Sequence, residues 1–174
     1  MRVLVTGAFG NIGRSTVEAL LERGHAVRCF DLKTRVNARA ARGLHRRFGE
    51  RVEVVWGDLR RREDVAAAVR DQDVAIHLAF IIPKLSATGI ESEARPDLAR
   101  EVNIGGTRNL IEAMEALPRP PRLIFASSYH VFGQTQHLAP PRRLTDPVRP
   151  VEHYSRHKVD CEEMVKASRL EWAI

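Results

Sequence analysis

The sequence predicts an α/β fold in which a parallel β-sheet carries helices on both faces. Short apolar runs rich in β-branched residues alternate along the chain with stretches in which apolar residues recur at helical spacing. The 174 residues are 44% hydrophobic and 29% charged, which is the composition of a folded chain rather than a disordered one. A single domain over residues 1–174 is therefore expected.

The first half of the chain supplies four of the predicted strands. Arg2–Thr6 is a short β-branched run that is typical of a buried strand. Asn11–Arg23 has helical spacing, and Gly24 follows it at the position where helices commonly end. The remaining elements of this half are a strand over His25–Phe30, a weak helix over 34–48, a strand over Val52–Trp56, a helix over Glu63–Arg70 and a strand over Val74–Ala79.

The second half is dominated by two predicted helices. Asp97–Leu117 is predicted as one long helix that ends at the proline cluster Pro118–Pro121. A strand over Leu123–Ala126 and a helix over Glu152–Ala167 follow, and residues 83–93 and 133–150 are predicted loops. Leu170–Ile174 begins a sixth strand at the end of the chain, so we expect the N-terminal part of a longer protein whose C-terminal substrate region is truncated.

The charge distribution is uneven. The chain carries a net charge of +6; residues 1–62 contribute +8 and residues 63–174 contribute −2. A basic half of this kind can meet nucleic acid or a small phosphorylated ligand. Aromatic residues make up 6% and do not alternate with the arginines, so we predict a solvated basic surface and no nucleic acid partner.

Cysteine usage and hydropathy indicate the compartment. Cys29 and Cys161 are too few for a disulfide framework, which favours a reducing compartment, and we expect a cytoplasmic protein. The longest apolar run, Val74–Ile82, is interrupted by His77 and is too short to cross a bilayer. No membrane association is predicted.

A glycine-rich turn joins the first strand to the first helix. Glycines stand at positions 7, 10 and 13 of Thr6-Gly-Ala-Phe-Gly-Asn-Ile-Gly13. Gly7 would permit a tight turn, Gly10 the approach of a pyrophosphate, and Gly13 close packing of the helix on the sheet. The helix N-terminus would then face the phosphates. The alternative is a turn that binds nothing.

Asp31 ends the second predicted strand and bears on the choice of cofactor. A carboxylate there can accept hydrogen bonds from an adenosine ribose and repels a 2′-phosphate, which favours NAD. The alternative is a helix cap or a surface acid. Lys33, Arg35 and Arg39 follow closely and could bind a 2′-phosphate, so NADP stays possible.

A serine, tyrosine and lysine set is the candidate catalytic group. Tyr154 and Lys158 are four residues apart in a predicted helix and so share one face. Ser127 and Ser128 follow the fifth strand at the carboxyl edge of the sheet, where open α/β sheets bind ligands. The spacing alone is a weak signal, and a packing role for Tyr154 is the alternative.

These motifs together resemble the extended branch of the short-chain dehydrogenase/reductase superfamily, the NAD-dependent epimerases and dehydratases. In chain order they are Thr6-Gly-x-x-Gly-x-x-Gly13, Asp31, Gly57-Asp58-Leu59, His77-Leu-Ala79, Asn103-x-x-Gly-Thr107, Ser127-Ser-x-x-Val-x-Gly133 and Tyr154-x-x-x-Lys158. The resemblance covers nearly the whole chain and implies a Rossmann-type doubly wound sheet.

The resemblance also implies the site residues. The catalytic trio would be Ser128, Tyr154 and Lys158. The cofactor-binding residues would be Gly7, Phe9, Gly10, Asn11, Ile12, Asp31, Asp58, Leu59, Leu78, Ala79, Phe80, Asn103, Ser127, Tyr154 and Lys158. Asp58 would meet the adenine amino group, although a plain turn aspartate is nearly as good an interpretation, and Asn103 would lie near the ribose side.

The implied reaction is hydride transfer between NAD and a hydroxyl of a sugar or nucleotide sugar. A free phenol is a poor base at neutral pH because its pKa is near 10. The Lys158 ammonium would favour the phenolate of Tyr154, and Ser128 would bind the substrate oxygen. The alternatives are a non-catalytic module that senses the cofactor and an NADP-dependent carbonyl reductase.

The sequence departs from the family pattern at several positions. Phe80 stands where many relatives have a small residue, and Phe132 replaces a usual tyrosine. Sugar 4,6-dehydratases carry Thr-Asp-Glu at the positions of Ser128, Tyr129 and His130, which weakens a dehydratase interpretation. The Ser-Ser-x-His pattern is similar to that of sugar-acid dehydrogenases.

Metal binding and oligomerisation are secondary questions. His153 and His157 are four residues apart and could bind a metal from one helix face, but no third ligand is evident, so we predict no metal. Cys161 is expected to be packed and inert. In many relatives the two long helices form a dimer interface, so a homodimer is possible.

Overall fold

Six strands form a parallel sheet in the part of the chain that the structure, a computed structural model, describes: residues 1–83, 89, 91–134 and 140–174. The strands are β1 (Arg2–Thr6), β2 (Ala26–Asp31), β3 (Val52–Trp56), β4 (Val74–His77), β5 (Arg122–Phe125) and β6 (Trp172–Ala173). Their order is β3-β2-β1-β4-β5-β6, and every pairing is parallel. The predicted doubly wound sheet is confirmed, and its order reverses between β1 and β4.

Helices cover both faces of the sheet. They are α1 (Asn11–Glu22), α2 (Arg35–Phe48), α3 (Arg62–Val69), α4 (Pro96–Arg100), α5 (Gly106–Glu115) and α6 (His153–Ala167). Side chains of β1 alternate between two cores because successive residues of a strand point to opposite faces. Val3 and Val5 pack with residues of α1 and α2, whereas Leu4 packs with residues of α3, α5 and α6.

The stretch predicted as one helix over Asp97–Leu117 is helical without a break from Pro96 to Glu115, so the prediction is confirmed to within two residues, but a π-helical turn lies inside it. It begins at Pro96, passes through a π-helical turn over Glu101–Gly105 and ends at Glu115. Within the turn the Asn103 side chain bonds to the backbone of Ile81. Apolar periodicity does not reveal one extra residue in a turn, so the π-helical turn has no signal in the residue pattern.

Most other element bounds agree with the predictions to within one or two residues. The sixth strand is shorter than Leu170–Ile174, since it comprises Trp172–Ala173, and Leu170 is a buried core residue. Of the two predicted loops, residues 84–88, 90 and 135–139 lie outside the described residues. A 3₁₀ turn over Tyr129–Phe132 follows β5 and shapes the end of that strand.

Candidate active site

The glycine turn between β1 and α1 depends on backbone space that a side chain would fill. Gly7 has a φ of +66°, and a Cβ built there would lie 2.8 Å from backbone atoms of Ala79. A Cβ on Gly13 would lie 2.0 Å from the Gly7 carbonyl oxygen. Gly10 precedes α1 in an extended conformation, and no side chain caps the helix there. The N-terminus of α1 therefore opens at the carboxyl edge of the sheet, as an anion site requires.

The neighbouring residues of the turn divide into backbone and side-chain contributors. Ile12 is exposed at the helix N-terminus, beside Asn11. The Phe9 side chain is buried and packs at 5.5 Å from the Trp56 ring. Phe9 can therefore serve the predicted cofactor site only through its backbone.

Asp31 is fixed against the glycine turn. Its Oδ2 accepts a hydrogen bond from Phe9 N at 2.9 Å, and its Oδ1 accepts one from Leu32 N at 2.8 Å. Burial raises the pKa of this carboxyl group, while the two backbone hydrogen bonds and the charge of Arg14 act in the opposite direction. Each oxygen keeps a second lone pair for a ribose hydroxyl.

Arg14 is a cation beside Asp31 that the sequence reasoning did not single out. Its Nε donates a hydrogen bond to the Phe9 carbonyl at 2.9 Å. Lys33, Arg35 and Arg39, the cations considered from sequence, lie on the exposed surface. The position of Arg14, directly after the third glycine of the motif, is the signal that could have identified it.

Asp58 follows β3 and is held by its own turn. Arg60 Nε lies 3.1 Å from Oδ1 and 3.0 Å from Oδ2, and Arg60 Nη2 lies 2.6 Å from Oδ2. These bonds hold the pKa of the Asp58 carboxyl group below its usual range. Leu59 is buried against Gly106, where an added Cβ would approach the Leu59 Cβ to 2.7 Å. The local contacts of Asp58 thus match the turn interpretation, and an adenine contact stays a prediction.

A buried polar network joins β1, β4 and α5 beneath the site. Thr107 Oγ1 donates to the Asn103 carbonyl at 2.5 Å, so it accepts from His77 Nε2 at 2.9 Å. The other ring nitrogen, Nδ1, then accepts from Thr6 Oγ1 at 2.7 Å. Burial lowers the pKa of His77 to about 3, and the charge of Lys158 acts in the same direction. His77 is therefore a neutral structural residue.

The network also sets the backbone after β4. Thr6 Oγ1 accepts from the N–H groups of Leu78 and Ala79, each at 3.2 Å. Both residues were predicted to line the cofactor site. The register pairs Thr6 with His77, so these residues leave the sheet beside the glycine turn.

Asn103 is fully buried, and its side-chain amide bonds to other residues of the protein. Its Oδ1 accepts from Ile81 N at 2.7 Å, and its Nδ2 donates to Ile81 O at 3.0 Å and contacts His157 Nδ1 at 3.3 Å. These partners fit a supporting polar residue, and a contact with the cofactor stays a prediction. The amide positions the segment after β4 rather than reaching an open surface.

The rings of Phe80, Phe125 and Tyr154, here called the aromatic box, surround the Lys158 ammonium at the end of β5. Lys158 Nζ donates to the Ala126 carbonyl at 2.6 Å and lies 3.6 Å from the centroid of the Phe80 ring. Phe125 lies at 4.6 Å and Tyr154 at 5.9 Å by the same measure. The side chain is buried, and this burial lowers the pKa of Lys158 to about 7. The cation–π contacts therefore offset only part of the cost of burying the ammonium.

Tyr154, Ser128 and His130 are neighbours. The Tyr154 ring packs edge-on against Phe80 at 5.8 Å and against His130 at 5.9 Å. Ser128 Oγ accepts from His130 N at 3.3 Å, and His130 Nδ1 lies 3.3 Å from Glu152 Oε2. The structure thus places Tyr154 and Lys158 beside Phe80, and it links Ser128 to the Tyr154 ring through His130.

Ser127, predicted to meet the cofactor, points its hydroxyl at α6. Its Oγ donates to Glu162 Oε1 in a short hydrogen bond. Glu162 is a second residue that the sequence reasoning missed, although its place four residues after Lys158 was the available signal.

The described residues contain no group of three or more His, Cys, Asp or Glu side chains that could hold a metal ion. The ring centroids of His153 and His157 are 6.3 Å apart, and His157 Nδ1 is already bonded to Asn103.

Among the described helices, none is long and apolar enough to cross a membrane.

The sequence matches the NAD dependent epimerase/dehydratase family over residues 3–174. The chain belongs to this family. The doubly wound parallel sheet is what the resemblance predicted. The curated relatives of the chain are named as dehydrogenases and epimerases.

Individual relatives include proteins with different substrates. The chain is 34% identical over 164 residues to 3-beta-hydroxysteroid dehydrogenase of Mycolicibacterium neoaurum, covering 94% of this chain and 42% of that protein. It is similar to UDP-glucose 4-epimerase of Thermus thermophilus in complex with NAD, with a TM-score of 0.78, 30% identity and coverage of 99% and 53%. It is also similar to UDP-glucose 4-epimerase of Stenotrophomonas maltophila with bound NAD and formylated UDP-arabinopyranose, with a TM-score of 0.83, 28% identity and coverage of 99% and 51%. The chain thus spans about half the length of these relatives.

Proposed function

We propose that the protein is an NAD-dependent epimerase or dehydrogenase that acts on a hydroxyl group of a sugar or nucleotide sugar. The observation that carries the proposal is the placement of Tyr154 and Lys158. Both contact Phe80 at the carboxyl edge of the sheet, and Phe80 follows the β4 segment that packs against the glycine turn. A proton-transfer pair and a dinucleotide cradle therefore share one edge.

The residues at this edge fit NAD. At Gly7 and at Gly13 the neighbouring backbone leaves no room for a Cβ atom, and the N-terminus of α1 lies beside this turn. Gly10, Asn11 and Ile12 would meet the pyrophosphate, and Asp31 would hold the adenosine ribose and disfavour a 2′-phosphate. When bound, NAD supplies the acceptor and donor of hydride.

The protein's own groups would manage the hydroxyl proton. Ser128 binds the substrate oxygen, and Tyr154 removes the proton from it or returns it. The Lys158 ammonium stabilises the negative charge that develops on the Tyr154 oxygen. Phe80 covers Lys158 and keeps water from it, which strengthens that interaction. Because burial lowers the pKa of Lys158 to about 7, this support weakens as the pH rises above neutrality.

The substrate class is the finer part of the proposal. The relatives with nucleotide-sugar names support it, and the steroid dehydrogenase relative points to a different hydroxyl. The second candidate is a cofactor-sensing module without catalysis. The presence of both Tyr154 and Lys158 favours an enzyme. The cytoplasmic location and the possible homodimer stay predictions.

Replacing Tyr154 by Phe in the complete protein tests the proposed reaction. Loss of the phenol hydroxyl should lower kcat by about 10²–10⁴-fold, the usual contribution of a positioned acid or base, with the Kd for NAD nearly unchanged. Hydride transfer is followed as NADH absorbance with a panel of sugars and nucleotide sugars, and epimerisation by product analysis.

The matched control is Tyr129→Phe, which removes the same hydroxyl from the exposed second tyrosine of the chain and should leave kcat within about twofold of the parent. Near-normal turnover of the Tyr154→Phe protein would contradict the assigned role. His130, which touches the Tyr154 ring and pairs with Glu152, would then be the next acid/base to replace.

A further inference from the structure

Glu162 is a half-buried carboxylate on α6, four residues after the candidate catalytic lysine, and it contacts the residues that follow β5. Glu162 accepts the hydrogen bond of the Ser127 hydroxyl through Oε1. Its Oε2 lies 3.3 Å from Lys166 Nζ, and only 16% of its side chain is exposed. A glutamate with one oxygen committed to a strand-end serine has a fixed position.

Glu162 and Lys158 hold consecutive residues of the same strand end. Lys158 Nζ bonds to the carbonyl of Ala126, and Glu162 bonds to the hydroxyl of Ser127. The two α6 residues are one helical turn apart, so their side chains lie on one face of the helix. The contacts join the catalytic helix to the strand end that presents Ser128.

We propose that Glu162 is a positioning residue: its carboxylate fixes the turn at Ser127 and places a negative charge one helical turn from the Lys158 ammonium. This inference rests on the proposed function, in which Lys158 supports the Tyr154 phenolate. It assigns to Glu162 a role in keeping that lysine charged.

The other titratable groups around Lys158 do not supply this charge. His77 on β4 is neutral because burial lowers its pKa to about 3. Burial raises the pKa of the Cys161 thiol to about 11, so the thiol is neutral in the range where Lys158 titrates. Tyr154 is the group that Lys158 is to serve. Negative charge on Cys161 or on Glu162 would raise the pKa of Lys158 against the larger, lowering effect of burial; with the Cys161 thiol neutral, Glu162 is the residue of the two that supplies it.

Two substitutions separate the charge of Glu162 from its hydrogen bond. Glu162→Gln keeps an oxygen that can accept the Ser127 hydrogen bond and removes the negative charge. Ser127→Ala removes the hydrogen bond and keeps the charge. The matched control is Glu163→Gln, since Glu163 also pairs with Lys166, at 3.1 Å, but is exposed at its side chain.

The direct measurement is the pH at which Lys158 becomes neutral in the cofactor-free complete protein. Trace labelling with acetic anhydride across pH 5–11, read by peptide mass spectrometry, gives this midpoint without any turnover, and Lys158→Arg identifies the peptide. Glu162→Gln should lower the midpoint by about half a pH unit or more. The substitution removes a negative charge one helical turn from Lys158, where burial weakens the screening by water. Ser127→Ala and Glu163→Gln should leave it unchanged.

The activity of the same proteins gives the second measurement. The alkaline limb of kcat/KM should move to lower pH in Glu162→Gln by the same amount as the labelling midpoint, and it should stay in place in Glu163→Gln. A labelling midpoint for Glu162→Gln equal to that of the parent, or an equal shift in Glu163→Gln, overturns the inference. A shifted midpoint in a protein that turns over no substrate with NAD supports the role of Glu162 and counts against the proposed function instead.

Discussion

A single buried cation, Lys158, has the most unusual surroundings of the residues in the site. Only 4% of its surface is exposed, and its ammonium has one carbonyl oxygen and aromatic rings for partners. Removing an ammonium from water is costly, and this cost lowers the pKa of Lys158 from 10.5 to about 7. The protein keeps a destabilising group where the proposed chemistry needs a charge.

The stability effect of Lys158 should depend on pH. Its folded-state pKa is lower than its unfolded-state pKa, so the unfolded state binds more protons between about pH 7 and 10.5, and the folded protein gains stability as the pH rises through this range. Lys158→Met should therefore raise the free energy of unfolding by about 1–3 kcal/mol at pH 6.

Urea unfolding at pH 6 and at pH 9.5 checks this expectation. The gain of the Lys158→Met protein over the parent should shrink at the higher pH, where the parent holds the lysine in its neutral form at less cost. Lys33→Met, at an exposed position, is the control and should show no such trend. An equal gain at both pH values would contradict the low pKa assigned to Lys158.

Part of the residue-level picture was accessible from sequence. The glycine positions, Asp31 and the spacing of Tyr154 and Lys158 each carry a local signal. The contacts of Glu162 and Arg14 and the pairing of His130 with Glu152 could not be derived, because each depends on segments that the fold brings together. The bonds of the Asn103 amide to Ile81 and His157 were likewise not derivable, and the place of Asn103 near the cofactor stays a prediction.

At the scale of elements, the π-helical turn between α4 and α5 connects α6 to the segment after β4. Asn103 sits in that turn, holds both backbone groups of Ile81 and touches His157, the neighbour of Lys158. A single buried amide thereby joins the π-helical turn, the segment after β4 and α6. Extra residues in helical turns often occur at functional sites, and here one places the amide.

Asn103→Ala should destabilise the fold because it leaves the buried N–H and C=O of Ile81 without partners. The expected loss in the free energy of unfolding is about 2–4 kcal/mol, from the usual cost of unsatisfied buried groups. Asn109→Ala is the control: it removes one half-buried bond to the Leu59 carbonyl and should cost about 1 kcal/mol. Urea unfolding of both variants tests the difference, and equal losses would show that the Asn103 contacts are not special.

The elements were largely predictable, since the periods of strand and helix are visible in the residues themselves. Val3, Leu4 and Val5 form an apolar run because both faces of β1 are covered. The π-helical turn at Asn103 was not predictable, because an extra residue in one turn leaves the apolar stripe nearly intact. The end of β5 was placed correctly, but not the 3₁₀ turn over Tyr129–Phe132 that orients Ser128.

At the scale of the whole molecule, the reversal of strand order creates the site. β1 carries the glycine turn to one half of the sheet, and β4 with β5 leads to the aromatic box in the other half. The register aligns Thr6 with His77 and His77 with Phe125, so these strand ends form one edge. Open α/β sheets bind ligands at such a reversal. Strand order could be expected from the family resemblance, whereas the register needed the structure.

This edge is expected to bind NAD through the glycine turn. The most direct measurement is calorimetric titration of NAD into the complete protein and into its Gly10→Val variant. Gly43→Val is the control, because a Cβ at Gly43 on α2 meets nothing within 4 Å, whereas one at Gly10 meets the Gly7 oxygen at 3.2 Å. The unmodified and Gly43→Val proteins should bind NAD with the same Kd. Gly10→Val should weaken binding by at least a hundredfold, equivalent to about 2.8 kcal/mol, by blocking the approach of the pyrophosphate. NAD binding by a folded Gly10→Val protein with an unchanged Kd would contradict the account.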